Sequence, residues 1–270
     1  MPLALAHTLP TVGLEELNEA AELLTRTDRK YLLDAKAAGE LLSALPEPAR
    51  VLEITSRRCF AYDSVYFDSA GLESYHLASG GRRRRYKVRV RTYEDSGLSF
   101  LEVKTRGSRS TTVKERLPYS SANRFQLTPE AVAYVQERLA DCIGRGAPLP
   151  LEPVLQTRYD RITLFLPCSR GRVTVDTGAR WRSLRGQTSH GPWLHLCGKA
   201  IVETKSGSTA GPVDRWLWRN GVRPSRVSKF GTGMAALNPE LPANRWHRAL
   251  SRDFQLTPVF TPVNPFDNES

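Results

Sequence analysis

The chain has 270 residues, 40% of them hydrophobic, which is enough for a sizeable core in one large domain or two small ones. Lys and Arg total 39 against 28 Asp and Glu, a formal net charge of +11 that points to an anionic partner: nucleic acid, an acidic membrane surface or a phosphate-rich small molecule. The four cysteines are scattered with no C-x-x-C pair, which argues against a disulfide scaffold or a structural zinc site, and no apolar run is long enough to span a bilayer.

MPLALAHTLP has no basic region ahead of its short apolar run, so no signal peptide is expected and the chain reads as soluble and cytoplasmic. Leu14, Leu17, Ala21 and Leu24 then recur at helical spacing, predicting a helix over 14–25. RKYLLD is a candidate strand over 29–34, followed by a second short helix over 35–45 that the prolines of PEP stop. Strands are expected over 51–60, 62–68, 86–93, 98–105 and 111–119. A helix over 128–143 has Thr128 to cap it and Pro129 at its first position. Strands resume over 154–166, 172–182 and 200–205, and helices follow over 212–220 and 232–237. After Asn238 the residues Pro239, Pro242, Pro258, Pro262 and Pro265 predict an extended arm, so 1–238 reads as one domain and 239–270 as a proline-rich tail. There is no internal repeat and no regular strand–helix alternation. Many antiparallel strands in one chain must manage their edges, and closure into a barrel is the complete way to do so.

The charges have a pattern of their own. In RYKVRVRTY the side chains of Lys87, Arg89 and Arg91 project to one side of the strand, and Tyr86, Val88 and Val90 to the other. Phe100, Glu102 and Lys104 share a face against Leu101 and Val103, and Thr112, Lys114 and Arg116 share the next. Tyr159 and Arg161 oppose Ile162 and Leu164; Arg172, Thr174 and Asp176 oppose Val173 and Val175; Ile201, Glu203 and Lys205 oppose Val202 and Thr204. Two arrangements satisfy this. The commoner buries the apolar faces and leaves the charges in water. The other turns the charges toward a wet lumen and covers the apolar outer wall with helices. The dominance of Arg and Lys favours the second, and like charges opposite one another are destabilising, so such a lumen requires an anion.

Taken in order, RTDRKYLLD, YKVRVRTY, SFLEVKTRG, TTVKER, RYDR, RVTVDTGARW, AIVETKSG and RVSKFGTG resemble the polyphosphate polymerase domain of the VTC (vacuolar transporter chaperone) family, from about Arg26 to Ala236. That family belongs to the triphosphate tunnel metalloenzymes, whose relatives include CYTH-type triphosphatases and adenylate cyclases. The resemblance implies an α+β fold: an antiparallel β-barrel tunnel with helices packed outside. It implies an enzyme that moves the γ-phosphoryl group of ATP onto a growing inorganic polyphosphate and releases ADP, with Mn²⁺ or Mg²⁺ as cofactor. By motif, Lys30 matches a lysine of the first tunnel strand, Arg89 and Arg91 the R-x-R pair, and Lys104 the lysine of E-x-K. Lys114, Arg161 and Arg172 match basic residues of later strands, Lys229 the closing lysine with Arg226 beside it, and Glu203 the metal-binding glutamate. Lys87, Arg116 and Lys205 share these faces and complete the expected phosphate-binding set. Lys30, Arg89, Arg91, Lys104, Arg161 and Lys229 are the expected catalytic residues.

These residue types suit the chemistry. Phosphoryl transfer asks mainly for positioning and charge stabilisation. Arginine forks grip two phosphate oxygens, lysine supplies a compact charge, and a divalent ion on Glu203 would bridge phosphate oxygens. Tunnel triphosphatases begin with E-x-E-x-K, but the aligned residues here are Arg26, Asp28 and Lys30. One carboxylate is missing and another shortened, which favours a polymerase over an inorganic or nucleoside triphosphatase; a non-catalytic module that binds polyphosphate or triphosphate is the further alternative. Walker and Rossmann glycine patterns are absent, so ATP would be gripped by side chains. Nucleic-acid binding rests on net charge alone, and the SPX and membrane segments of eukaryotic VTC subunits are not seen, so any translocation of product would need a separate membrane partner. Arg82 to Arg85 read as an exposed basic loop, and Trp216 and Trp218 as packing groups.

Overall fold

A computed structural model describes residues 6–22, 27–106, 112–186 and 191–254; Arg26, Pro258, Pro262 and Pro265 lie outside them. In chain order the elements are β1 (Thr11–Val12), α1 (Leu14–Glu22), β2 (Thr27–Asp34), α2 (Ala35–Ser43), β3 (Arg50–Leu52), β4 (Phe60–Ser69), α3 (Glu73–Ser79), β5 (Arg85–Tyr93), β6 (Ser99–Arg106), β7 (Thr112–Tyr119), α4 (Pro129–Ile143), β8 (Leu151–Leu166), β9 (Gly171–Ser183), β10 (Leu194–His195), β11 (Lys199–Ser206), α5 (Pro212–Arg219), α6 (Lys229–Leu237) and α7 (His247–Arg252). No helix among the described residues is long and apolar enough to cross a membrane.

The strands form one sheet whose main path runs β2-β11-β9-β8-β4-β5-β6-β7, antiparallel throughout. The fold is α+β, as expected, but the sheet does not close. Among the described residues no ladder joins β7 to β2, so the expected barrel is replaced by an open sheet. Each edge is protected in another way. The backbone N–H of Ser225 donates to the carbonyl of Lys30 (2.7 Å), laying the segment before α6 along β2. β7 carries Lys114, Glu115 and Arg116 and then Pro118, which cannot donate to a further strand. The strand expected over 51–60 is also interrupted: Thr55 and Ser56 turn through positive φ between Ile54 and Arg57, leaving the short β3 and then β4.

One face of the sheet is apolar, as the alternation predicts. Val65, Val88, Val90, Leu101 and Val103 pack beneath Ala131, Val135 and Leu139 of α4. Tyr31, Leu33, Ile162, Leu164, Val173, Val175 and Val202 pack beneath Ala38, Leu41 and Leu42 of α2 and Val213 and Leu217 of α5. Asp214, fully buried at the start of α5, accepts from Tyr31 (2.7 Å), Thr204 (2.5 Å) and the Gly211 N–H (2.8 Å), which ties the helix to β2 and β11. Trp218 donates to the Tyr31 hydroxyl (3.1 Å) and is a packing group.

The opposite face departs from the expectation that all helices lie outside. Phe230 and Met234 of α6 pack on Tyr62, Tyr66, Tyr159 and Trp181, which point to the same side as the arginines of β5. Two glycines make this approach possible. A Cβ on Gly233 would lie 2.3 Å from Trp181, and one on Gly231 2.1 Å from Trp246. Glycine inside a helix costs up to about 1 kcal/mol relative to alanine, so α6 gives up propensity for contact. Gly233→Ala is therefore expected to destabilise the protein by about 1–3 kcal/mol through overpacking, despite its better helix propensity. A denaturant midpoint equal to or above the parent's would contradict this docking.

The expected extended arm after Asn238 is, up to Phe254, a folded segment. It includes α7, and Trp246 and Phe254 are buried at 3% and 4% exposure against α6 and Trp181. Two buried aromatic anchors outweigh the proline signal here.

Candidate functional site

Register builds the charged face strand by strand. Lys30 of β2 stands opposite Glu203 of β11, which stands opposite Thr174 of β9. One row further along, Ile201 faces Asp176, which faces Arg161 of β8, which faces Phe60 of β4. On the other half, Tyr66 of β4 faces Arg89 of β5, then Glu102 of β6, then Arg116 of β7. The next row is Lys87, Lys104 and Lys114, three lysines directly abreast.

Three carboxylates of this face are held between cations. Asp176, fully buried, receives Arg161 in two hydrogen bonds (2.6 and 2.8 Å) and is ion-paired with Lys229 from the first turn of α6. Glu102, 2% exposed, pairs with Arg89 (2.5 Å) and Lys114 (2.6 Å). Glu203 lies 3.8 Å from Lys30 and 3.2 Å from Lys205, which also reaches Asp28 at 3.5 Å. Burial pushes all three acids toward the neutral form, but the neighbouring cations outweigh it. Asp176 and Glu102 are held below the usual carboxylate range, and Glu203, which feels Lys30, Lys205, Arg161 and Lys229, well below it.

Tyrosines support the arginines. Tyr62 and Tyr159 stack at 5.1 Å, with Arg91 and Arg161 each 5.2 Å from the Tyr62 ring centroid. Arg91 donates to the Tyr159 hydroxyl (3.0 Å), Arg89 to that of Tyr66 (3.0 Å), and Lys229 lies 4.2 Å over Tyr159. Burial raises the Tyr66 phenol, but Arg89 and Arg91 outweigh it and its net shift is downward. Tyr159 was legible from its place beside Arg161; Tyr62 and Tyr66 alternate on β4 in the same way, but no cation on that strand marked the face.

The lysine row shows how the sheet is shaped. Burial lowers the proton affinity of Lys87 well below the usual lysine value, and Lys30, Lys104 and Arg89 lower it further. Lys104 is lowered by burial and then by Lys30, against weaker support from Asp28 and Glu203. Lys30 belongs to β2 and Lys104 to β6, with five strands between them in the sheet. They repel one another only because the open sheet curls until its two halves face. Lys104 nevertheless keeps a solvent-exposed surface, as a side chain lining a wet concavity does.

The structure thus brings Lys30, Lys87, Arg89, Arg91, Lys104, Lys114, Arg161, Glu203, Lys205 and Lys229 onto one concave face. Arg172 stands opposite Lys205 at the end of β9. Arg116 is exposed at the β7 edge, 4.9 Å over Phe100, and Arg226 is exposed ahead of α6. Among the described residues no group of three or more His, Cys, Asp or Glu could hold a metal. Glu203 by itself is compatible with a divalent ion held by one carboxylate plus substrate phosphates rather than by an all-protein cage, while Asp28 meets Lys205 and not Glu203.

Lys114 carries a pH signature. Burial pushes its ammonium down to about 8, with Glu102 opposing the shift. A bound polyanion favours the charged form, so binding draws a proton onto Lys114 and affinity falls as pH rises through about 8. Lys114→Arg stays charged throughout. Its triphosphate affinity is expected to be flatter than the parent's between pH 7 and 9, and parallel profiles would remove Lys114 from the site.

A model of the VTC domain matches residues 25–238. Among curated proteins none matches the chain. Among solved structures, a Hippeastrum protein described as a candidate adenylyl cyclase with a dominant triphosphatase activity aligns at TM-score 0.47 and 16% identity, over 81% of this chain and 98% of its own. A candidate adenylate cyclase of Vibrio parahaemolyticus aligns at 0.42 and 10% identity, over 76% of this chain and 95% of its own. The PH1819 protein of Pyrococcus horikoshii aligns at 0.40 and 13% identity, over 76% and 97%.

Proposed function

The chain belongs to the VTC domain family, and from that premise we propose that it transfers the γ-phosphoryl group of ATP to a growing inorganic polyphosphate, releasing ADP. The observation that carries this reading is Lys87 and Lys104, abreast in the sheet, facing Lys30: three ammonium groups brought together, a crowding that a dense anion relieves. Lys30, Lys104 and Lys114 hold phosphate oxygens from both halves of the curled sheet. Arg89, fixed by Glu102 and Tyr66, presents its remaining donors in a set orientation. Arg161 and Lys229, half-neutralised by Asp176, take up charge as it develops on the phosphoryl group. The acceptor is a phosphate already ionised, so no general base is needed. What the face supplies is charge that offsets repulsion between two anions and holds them in line.

A divalent ion, Mn²⁺ or Mg²⁺, held by Glu203 and phosphate oxygens would neutralise the β and γ oxygens and polarise the leaving group. Glu203→Gln is expected to shift the Mn²⁺ titration of turnover to concentrations about tenfold higher or more. An unaltered titration would take Glu203 out of the metal site.

Hydrolysis of a triphosphate by general-base catalysis needs a carboxylate free to activate water. Among the described residues of this face, Asp28, Glu102, Asp176 and Glu203 are each paired with a cation, which favours transfer between phosphates. Incubation of the protein with ATP and Mn²⁺ separates the readings. Long polyphosphate with stoichiometric ADP supports transfer, free phosphate alone overturns it in favour of hydrolysis, and binding without turnover overturns it in favour of a sensor.

A further inference from the structure

Beyond the lysine row the cations continue. Arg85 and Arg106 stand opposite one another one step further along β5 and β6. The Arg245 guanidinium comes from the C-terminal segment and sits 2.7 Å from where a Gly81 Cβ would be, so the absence of a side chain at Gly81 makes room for it. Arg226 is exposed two residues before Ser228, whose hydroxyl accepts from Lys87 (2.9 Å). Arg85 donates to the carbonyl of Arg82 (2.7 Å), which pins the base of the basic loop beside this group. Among the described residues no carboxylate pairs with Arg85, Arg106, Arg226 or Arg245, and the buried Nε of Arg106 has no hydrogen-bond partner. Burial lowers the proton affinity of Arg85 and Arg245, and neighbouring arginines lower it further: Arg106 and Arg245 for Arg85, Arg226 and Arg106 for Arg245. Inside the lumen most cations share a carboxylate; here none does.

We propose that Arg85, Arg106, Arg226 and Arg245 form a collar at one mouth of the concave face that holds the part of a linear phosphate chain lying outside the lumen. The proposal rests on the phosphate-chain reading of that face and adds where the chain runs. From Arg91 through Arg89 and Lys87 to Arg85, same-face cations recur every second residue of β5, about 7 Å apart and about 20 Å in all. A triphosphate fills only part of such a track, whereas a chain fills it. A nucleic-acid strand carries the same backbone charge, but it gains affinity by stacking bases on exposed aromatic rings. Phe230, which lies under Lys87, and Trp246, which follows Arg245 in the chain, are 2% and 3% exposed.

The test compares Arg106→Ala/Arg245→Ala with the parent by titration with inorganic triphosphate, with polyphosphate several tens of phosphates long, and with single-stranded DNA of matching charge. Affinity for the long chain is expected to fall about tenfold or more, since two charge-assisted contacts to phosphate are lost. Its log–log salt slope should drop by about 2, one for each lost phosphate contact, while triphosphate affinity stays within about twofold. Arg106→Lys/Arg245→Lys retains the charges and should recover most of the long-chain affinity, which separates loss of contact from loss of fold. Equal losses for triphosphate and chain, or no loss for the chain, would overturn the proposal, as would DNA binding as tight as polyphosphate and equally sensitive to the variant. If the parent binds the chain but not triphosphate, and the variant loses the chain, the collar stands and the lumen reading falls.

Discussion

Lys30→Ala is expected to cut phosphoryl transfer by about two to three orders of magnitude, some 2.7–4 kcal/mol of transition-state stabilisation, the amount lost when one preorganised donor to developing charge is removed. The prediction is large because of where Lys30 stands. Its ammonium lies 3.8 Å from Glu203 and within repulsive reach of Lys87 and Lys104 from the far half of the sheet. It is the cation that faces the lysine row across the concavity, so a phosphate held by both is clamped from two sides. The same geometry predicts a dissociation between activity and stability. Removing Lys30 relieves Lys87 and Lys104 of a like charge, and Glu203 keeps Lys205, so the melting temperature should be unchanged or raised. A variant with parental kcat/KM for ATP would remove Lys30 from the site, and a variant that fails to fold would contradict the electrostatic picture.

Asp176→Asn should lower stability by about 3–5 kcal/mol, the range seen when one partner of a buried ion pair is removed. Asp176 is fully buried and is the shared acceptor of Arg161 and Lys229. An amide keeps the shape and takes away the charge, leaving two cations facing each other over the Tyr62–Tyr159 stack. Because Lys229 opens α6, the loss also loosens the helix that covers the apolar half of this face. Inorganic triphosphate should restore part of the stability by taking the place of the missing charge, and should stabilise the variant more than it stabilises the parent. A parental denaturant midpoint without anion would contradict the role given to Asp176.

Much of this was legible in the alternation of β5, β6, β9 and β11. Val88, Val90, Leu101, Val103, Val173, Val175 and Val202 are each 1% exposed or less, and their neighbours in sequence carry the charges. That signal is local, because the pleat fixes which way successive side chains point. The way the sheet ends is not local. The open edge at β7 and the Ser225 contact that covers β2 depend on residues far apart in the chain, and alternation is blind to them. The docking of α6 was hidden for another reason. KFGTGMAAL has two glycines that lower helix propensity, and their purpose emerges only once Trp181 and Trp246 lie against them. Alternation places Glu102 on the charged face without saying what it meets, and the structure pairs it with Arg89 and Lys114.

The central claim is that an open, curled sheet buries lysines and brings those of its two halves together, which weakens their hold on protons until a polyanion arrives. Calorimetric titration with inorganic triphosphate near pH 8, repeated in two buffers of different ionisation enthalpy, measures the protons exchanged on binding. The account predicts tight binding with net proton uptake, reduced when Lys104 is replaced by Ala. Absence of binding, or binding with no proton uptake in either buffer, would contradict it.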